Sequence, residues 1–145
     1  MLDRLQDPGN IGTILRTADA AGYKLAILMK GTADVYAPKV VRAATGSLFR
    51  MPVVSMASAK ELAEFTGAAG KKLTATCLDA RRWYYDEDLT HDIALIIGNE
   101  GNGISRDLIE SSDIQIKIPM QGNIESLNAA VAAGVLMYEA MRGKR

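Results

Sequence analysis

The chain has 145 residues, with 17 basic and 17 acidic side chains, one histidine and one cysteine. This length favours a single domain, and one cysteine excludes an internal disulfide and a cysteine-based zinc site. Zero net charge argues against a free-standing nucleic-acid binder that works through a strong basic field. Without a long apolar run or an apolar signal-peptide core, the sequence predicts a cytoplasmic protein with no membrane span and no metal.

The first predicted helix follows a turn at residues 7–10, after a strand end at residues 2–5. Asp7, Pro8, Gly9 and Asn10 are turn residues, and Gly22 ends the helix. From residue type alone, Asn10 is most simply a helix cap and Arg16 a solvated surface charge. The apolar side of the helix holds Ile11, Ile14, Leu15, Ala18 and Ala21, and the side that faces a solvent cleft or a partner holds Thr13, Arg16 and Thr17.

The chain then alternates between strands and helices. The apolar run 23–29, between two glycines, is typical of a strand buried on both faces and hence of a parallel sheet. Ser58 and Glu61 form a capping box that begins a helix. Pattern alone therefore predicts a doubly wound, Rossmann-like α/β domain. Its later strands are residues 51–54, 72–78, 93–97 and 114–118, and its later helices are residues 38–44, 58–65, 105–110 and 127–141.

Residues 79–89 form a polar segment with adjacent basic and aromatic side chains. Aromatic rings beside arginines suit the bases of single-stranded RNA. The same composition is more often found where a loop packs onto its own domain or onto a partner subunit. Both interpretations stay open for Arg81, Arg82, Trp83, Tyr84 and Tyr85.

A glycine-rich loop, Gly98 to Gly103, follows the most apolar predicted strand. Glycines at such a strand exit let backbone groups approach a ligand closely. The spacing G-x-x-G-x-G is neither the G-x-G-x-x-G dinucleotide fingerprint nor a P-loop with its Lys-Ser/Thr. NAD and ATP are therefore poor candidates, and a plain tight turn fits the spacing equally well.

The C-terminal stretch, residues 118–141, combines a strand end, a polar turn and a long helix. Pro119 cannot continue a strand ladder, and residues 121–123 are turn formers, so backbone polar groups are left free there. Ser126 is predicted to cap the helix, whose small residues let another backbone approach. An ordinary buried C-terminal helix is the alternative. Because apolar residues occupy more than one face, we expect a homodimer: they are Val131, Val135, Leu136, Met137, Tyr138 and Met141.

Three stretches, in this order, resemble the motifs of the SpoU (TrmH-type) RNA ribose 2′-O-methyltransferases of the SPOUT class. They are QDPGNIGTILRTADAAG (residues 6–22), LIIGNEGNGIS (95–105) and IPMQGNIESLNAAVA (118–132), with the family-like ATGSLFRMPV between them. The resemblance covers nearly the whole chain. It implies a homodimer and a parallel-sheet α/β fold with a C-terminal trefoil knot, which general topology rules would not propose.

The resemblance also implies that residues 1–145 form one methyltransferase domain. Members of the family often carry a separate RNA-binding segment ahead of this domain, whereas this sequence opens at the first motif. Such a segment is therefore expected to be missing. Ribosomal RNA is the expected substrate; the alternatives are transfer RNA, or a catalytically inactive RNA-binding or dimerisation module.

The implied methyl donor is S-adenosylmethionine. Transfer of its methyl group to a ribose hydroxyl requires alignment and loss of a proton, and no metal. Arg16 is implied to hold the phosphate of the target nucleotide and to assist deprotonation, although a guanidinium is normally a bound cation, so that positioning is the safer role. The implied catalytic residues are Asn10, Arg16, Glu100, Ser126 and Asn128, and the donor-binding residues are Gly98, Glu100, Gly101, Ile118, Met120 and Leu127.

Overall fold

The protein folds as a parallel α/β domain, and its structure, a computed structural model, describes residues 1–142. The strands are β1 (Ala26–Met29), β2 (Val53–Met56), β3 (Lys72–Thr76), β4 (Arg82–Trp83), β5 (Ile93–Ile96) and β6 (Ile114–Lys117). The helices are α1 (Pro8–Ala20), α2 (Pro38–Ala44), α3 (Ala59–Ala68), α4 (Arg106–Glu110) and α5 (Ala129–Glu139), with short 3-10 turns at Ser47–Phe49 and Tyr84–Asp86.

All strand pairs are parallel. β1 pairs with β2, and the other strands lie in the order β4-β6-β3-β5. Leu2 joins these two groups of strands, because it forms a β-bridge with Leu28 on one side and with Ile97 on the other. The carboxyl ends of the strands therefore share one edge, where the loops after β1 and β5 meet residues 3–7.

The connection between β3 and β4 crosses β6. That strand lies between the other two, and Thr76 and Arg82 both pair with Ile116 from opposite sides. Residues 77–81 therefore carry the chain from one side of β6 to the other. The segment that follows β6 leaves the sheet beside this crossing.

Different helices cover the two faces of the sheet. α1, α2 and α5 pack on one face, with Ile11, Leu15 and Leu136 in its core. α3 and α4 pack on the other face through Leu62 and Leu108. All four residues of β1 are buried, which agrees with the predicted strand that is buried on both faces. Among residues 1–142 there is no helix whose length and hydropathy would let it cross a membrane.

Several predicted element ends differ from the observed ones. The strand predicted at residues 23–29 begins only at Ala26, because the N–H groups of Gly22 and Tyr23 bond to carbonyl groups in the last turns of α1. The strand predicted at residues 51–54 lies instead at Val53–Met56. The helix that begins after Ser58 continues to Ala68. The alternation of strands and helices is confirmed from α1 to β3 and from β5 to α5, whereas β3, β4 and β5 follow one another without an α-helix, and the short strand β4 was not predicted.

Candidate active site

A cleft of about 420 Å³ opens at the carboxyl edge of the sheet. The loop after β5 forms one wall, and the segment between β6 and α5 forms the other. The volume is typical of a site for a small organic ligand. The cleft brings together all six predicted donor-binding residues, of which Glu100 is also a predicted catalytic one, and two further predicted catalytic residues: Gly98, Glu100, Gly101, Ile118, Met120, Leu127, Ser126 and Asn128.

A second cavity, of about 430 Å³, lies at the opposite edge of the sheet, near Tyr23, Lys71 and Met137. None of the predicted site residues lines it. Burial raises the pKa of Tyr23 to about 12, and its hydroxyl has no hydrogen-bond partner among residues 1–142. The size of this cavity alone does not make it a site, since the converging polar groups lie at the other edge.

Hydrogen bonds hold the wall formed by residues 98–105. Asn99 and Gly103 exchange two backbone hydrogen bonds of 3.0 Å. The Asn99 side chain accepts from the N–H groups of Gly101 and Asn102 at 3.0 Å and donates to the Arg4 carbonyl at 2.8 Å. This wall therefore keeps its shape without a ligand.

The buried carboxylate of Asp3 fixes the end of the same wall. It accepts a hydrogen bond of 2.7 Å from the N–H of Ser105. Gly98 sits so close to the returning chain that a Cβ would lie 2.4 Å from backbone atoms of Gly103 and Ile104. Glycine is therefore required at this position, because the returning backbone leaves no room for a side chain on Gly98.

Glu100 joins this wall to the start of α1. Its carboxylate accepts from the Asn10 side chain and the Asp7 N–H, both at 3.2 Å, and from the Gln6 N–H at 3.3 Å. Partial burial tends to raise the pKa of Glu100, but hydrogen bonds from its own N–H, from Asn10 and from the two backbone groups outweigh it, so that the pKa is lowered. Glu100 is therefore an ionised, fixed acceptor at neutral pH.

Asn10 connects Glu100 to Asn128. The Asn128 amide donates to the Asn10 side-chain oxygen at 2.9 Å. Both ends of the Asn10 amide are therefore used, one as donor to Glu100 and the other as acceptor from Asn128. The structure thus joins one residue from each of the three quoted stretches in a single hydrogen-bonded chain.

The caps of the two helices at this site differ from the predicted ones. Asp7 caps α1 by accepting from the Asn10 N–H at 2.7 Å, so Asn10 is not the cap. Asn128 caps α5 by accepting from Ala130 and Val131, so the predicted cap at Ser126 is wrong. The capping role of Asp7 was not predicted, although an aspartate directly before Pro8 is a strong helix-start signal.

The opposite wall, residues 119–127, is open. Within the described part of the chain, no hydrogen bond involves these residues. Ile124 is 71% exposed, and Ser126 is exposed as well. The free backbone groups predicted for this turn are therefore present and accessible from the cleft.

Arg16 lies outside the cleft, on the exposed side of α1 together with Thr13. At 1.5 Å per residue it is about 9 Å along the helix axis from Asn10. Its guanidinium makes no hydrogen bond or ion pair with any residue from 1 to 142. The side chain is therefore available to a ligand or to another subunit.

A glycine-lined cleft outside the carboxyl ends of a parallel sheet is the place where α/β proteins commonly bind their ligands. Residues 1–138 match the model of the SpoU rRNA Methylase family, and the chain belongs to that family.

Relatives of known name and structure agree with the family assignment. The chain is 43% identical over 143 residues to the 23S rRNA (guanosine(2553)-2'-O)-methyltransferase RlmP of Bacillus subtilis (strain 168), an alignment that covers 99% of this chain and 57% of that protein. This chain thus spans little more than half the length of such relatives.

Two solved structures with bound cofactor share the fold. The SpoU methyltransferase AviRb from Streptomyces viridochromogenes, in complex with AdoMet, has a TM-score of 0.90 at 42% identity, covering 97% of this chain and 55% of that one. The AdoMet-bound rRNA methyltransferase from Sinorhizobium meliloti has a TM-score of 0.93 at 38% identity, covering 99% and 55%.

Proposed function

We propose that the chain is an S-adenosylmethionine-dependent RNA 2′-O-ribose methyltransferase that acts on ribosomal RNA. The observation that carries this proposal is the hydrogen-bonded chain from Asn128 through Asn10 to Glu100 at the rim of the cleft. An inactive module would have no need to keep three polar residues from distant stretches in one arrangement. The names of the relatives direct the proposal to ribosomal RNA.

The cleft suits the methyl donor in both size and lining. An adenosine needs an apolar slot with nearby backbone donors and acceptors. Ile118, Met120 and Leu127 provide the apolar surface, and the open wall provides unpaired backbone groups. Gly98 and Gly101 let the other wall approach closely, with Glu100 at its rim. When bound, S-adenosylmethionine supplies a methyl group activated by its sulfonium centre.

The residues around the cleft are assigned to alignment of the acceptor. A ribose hydroxyl must be held in line with the donor and must lose its proton. We assign Arg16 to the phosphate of the target nucleotide, since its planar guanidinium is unpaired and fits phosphate oxygens. Asn10, Glu100 and Asn128 shape the pocket through their mutual hydrogen bonds, and Ser126 adds a hydroxyl from the open wall.

The active form is proposed to be a homodimer built on α1 and α5. One face of α5 is buried in the domain, whereas the other presents an apolar stripe to solvent. A soluble chain normally covers such a stripe with a partner, and a second copy is the commonest cover. The stripe consists of Val131 (53% exposed), Val135 and Tyr138 (55% exposed), and Leu127, two residues before the helix, extends it.

Arg16 supports an arrangement in which each cleft is completed by the other subunit. It lies on a helix that packs against α5, yet it does not line the cleft of its own chain. Light scattering should give a dimer mass at micromolar concentration, and a monomer mass would contradict the proposal. Mixing Arg16→Ala subunits with Asn128→Ala subunits should restore activity, because one cleft of the mixed dimer then has both residues intact.

A C-terminal trefoil knot and a cytoplasmic setting are part of the same proposal. The knot is supported by residues 77–81, which cross β6, and by the segment after β6, which leaves beside that crossing. The cytoplasmic setting follows from the proposed ribosomal RNA substrate.

Arg16→Ala is the experiment that tests the proposed activity. We expect loss of methyl transfer while S-adenosylmethionine affinity, measured by isothermal titration calorimetry, stays within a few-fold. Arg16→Lys should also fail, since lysine lacks the planar fork. Lys24→Ala, at an exposed cation outside the cleft, is the control and should keep activity. Normal turnover by Arg16→Ala, or no heat of donor binding to the unaltered chain, would contradict the proposal.

Residues 1–145 alone are expected to bind the donor but to methylate RNA poorly. Their zero net charge provides little general attraction for RNA. Methylation assays with these residues and with a longer protein that includes a preceding RNA-binding segment should differ strongly at physiological salt. Robust methylation by residues 1–145 would refute this expectation.

A further inference from the structure

Two segments of the chain combine basic and aromatic side chains, but their charges differ in sign. Residues 79–92 contain two basic and five acidic residues, and Arg82 pairs with Glu87 inside the segment. Residues 30–50 contain four basic residues and one acidic residue. In a chain of zero net charge, only the second segment, here called the basic segment, is complementary to a polyanion.

Three cations of the basic segment have no partner in the protein. Lys30, Lys39 and Arg42 are exposed and make no ion pair or hydrogen bond through their side chains with any residue from 1 to 142. Lys39 and Arg42 are three residues apart on α2 and therefore share one face of that helix. Arg50 differs, because it is paired with Asp19 at 2.5 Å.

Tyr36 gives the basic segment an exposed aromatic ring. It lies two residues before α2 and is 63% exposed. Its backbone is fixed, because the Tyr36 N–H donates to the side chain of Asp34 at 2.9 Å. An exposed ring held on a rigid backbone is a platform on which a base can stack.

The basic segment is attached directly to the candidate site. The Gly31 carbonyl accepts a hydrogen bond of 2.6 Å from the side chain of Gln6, whose N–H donates to Glu100. Ala33 donates to the Leu5 carbonyl at 2.9 Å. A Cβ at Gly12 would lie 2.4 Å from the Cβ of Ala43, so α2 crosses α1 in close contact, two residues beyond Asn10.

We propose that Tyr36, Lys39 and Arg42 bind the single-stranded RNA that flanks the target nucleotide. Tyr36 stacks on a base, while Lys39 and Arg42 contact phosphates. This inference rests on the proposed function, because it takes the acceptor to be RNA. It places the RNA strand along the loop after β1 and along α2, and not on the arginine-aromatic cluster at residues 81–85.

The charge part of the proposal is tested with two matched double variants. Lys39→Glu with Arg42→Glu is compared with Lys24→Glu and Lys72→Glu, which change net charge equally at exposed cations that likewise have no side-chain partner within residues 1–142. Fluorescence anisotropy measures binding of a short labelled single-stranded RNA of mixed sequence at several salt concentrations. We expect the first pair to weaken binding at least about tenfold and to reduce the salt slope by about 1.4, the value for two lost phosphate contacts. The control pair should change affinity less than about threefold.

The stacking part is tested with two tyrosines. Tyr36→Ala should weaken RNA binding about tenfold with an unchanged salt slope. Tyr85→Ala, in the acidic segment, should have little effect. Circular dichroism and S-adenosylmethionine titration establish that each variant is folded and retains the donor site.

Three outcomes of these measurements would overturn the inference. Equal effects of the two double variants would mean that only total charge matters. A changed oligomeric mass of Lys39→Glu/Arg42→Glu with unchanged RNA affinity would make this face a protein interface, and no RNA binding by the unaltered chain at low salt would also refute it. Absence of donor binding would refute the proposed function alone, since RNA affinity is measured without the donor.

Discussion

The two walls of the cleft are built in opposite ways. Residues 98–105 hold one another and are tied to residues 3–10 by hydrogen bonds from both backbone and side chains. Residues 119–127 make no hydrogen bond within residues 1–142 and are mostly exposed. One wall is therefore pre-formed, whereas the other is free to adapt to a ligand or to a partner chain.

Because of this difference, the two walls have different roles in ligand binding. A pre-formed wall recognises its ligand with little loss of conformational entropy. An open wall offers unpaired backbone groups, which gain hydrogen bonds only when something binds. Asn128 stands at the boundary, because it caps α5 and also contacts Asn10 of the fixed part.

Gly98→Ala should produce the largest effect, since it places a Cβ 2.4 Å from backbone atoms of the fixed wall. Backbone atoms cannot move away as a flexible side chain can. We therefore expect the free energy of unfolding to fall by more than about 3 kcal/mol, at the upper end of the costs of overpacking. Unfolding by urea measures the change in stability, and titration with the donor measures the change in affinity. Gly122→Ala is the matched control in the open wall, where an added Cβ meets nothing within 4 Å. Similar losses in both variants would show that the walls do not differ.

The next largest difference between the two walls is expected in the hydrogen-exchange rates of their backbone N–H groups. The N–H groups of Gly101, Asn102 and Ser105 are bonded, so we expect them to exchange at least about a hundredfold more slowly than those of residues 121–127. Adding S-adenosylmethionine should protect the open wall more than the fixed one. Equal protection of both walls before the donor is added would contradict the comparison.

Asn128→Ala should have a smaller effect, at the junction of the walls. It removes the cap on Ala130 and Val131, which costs about 1 kcal/mol of stability. Asn128→Asp keeps the capping oxygen but loses the N–H that donates to Asn10, so stability should recover while activity does not. Thermal unfolding and methyl transfer are measured together. Ser126→Ala is the control, with unchanged stability because Ser126 caps nothing.

The same contrast explains what the sequence could and could not predict. The alternation of strands and helices follows from local hydrophobic patterns and from glycine positions, and it is correct on either side of the stretch from β3 to β5, which contains no α-helix. The link between Asn10 and Asn128 joins residues 118 positions apart, so residue pattern alone could not reveal it, and only the resemblance placed both in one site. The wrong cap at Ser126 has a local cause, since serine and asparagine both cap helices and residue type alone does not show which of the two lies directly before the first helical residue.

The smallest effect should come from the charge of Glu100, which ties the fixed wall to α1. Its pKa is lowered in the folded protein, so its contribution to stability is present at neutral pH and is lost as pH falls through the folded pKa. The effect is small because the carboxylate is exposed to solvent. Glu100→Gln should therefore lower the melting temperature at neutral pH by a few degrees at most, and the gap should close in acid. Glu110→Gln, which removes only a surface pair with Arg106, should give no pH-dependent gap of this kind. A gap for Glu100→Gln that stays constant from neutral to acidic pH would contradict a contribution from the charge of the carboxylate.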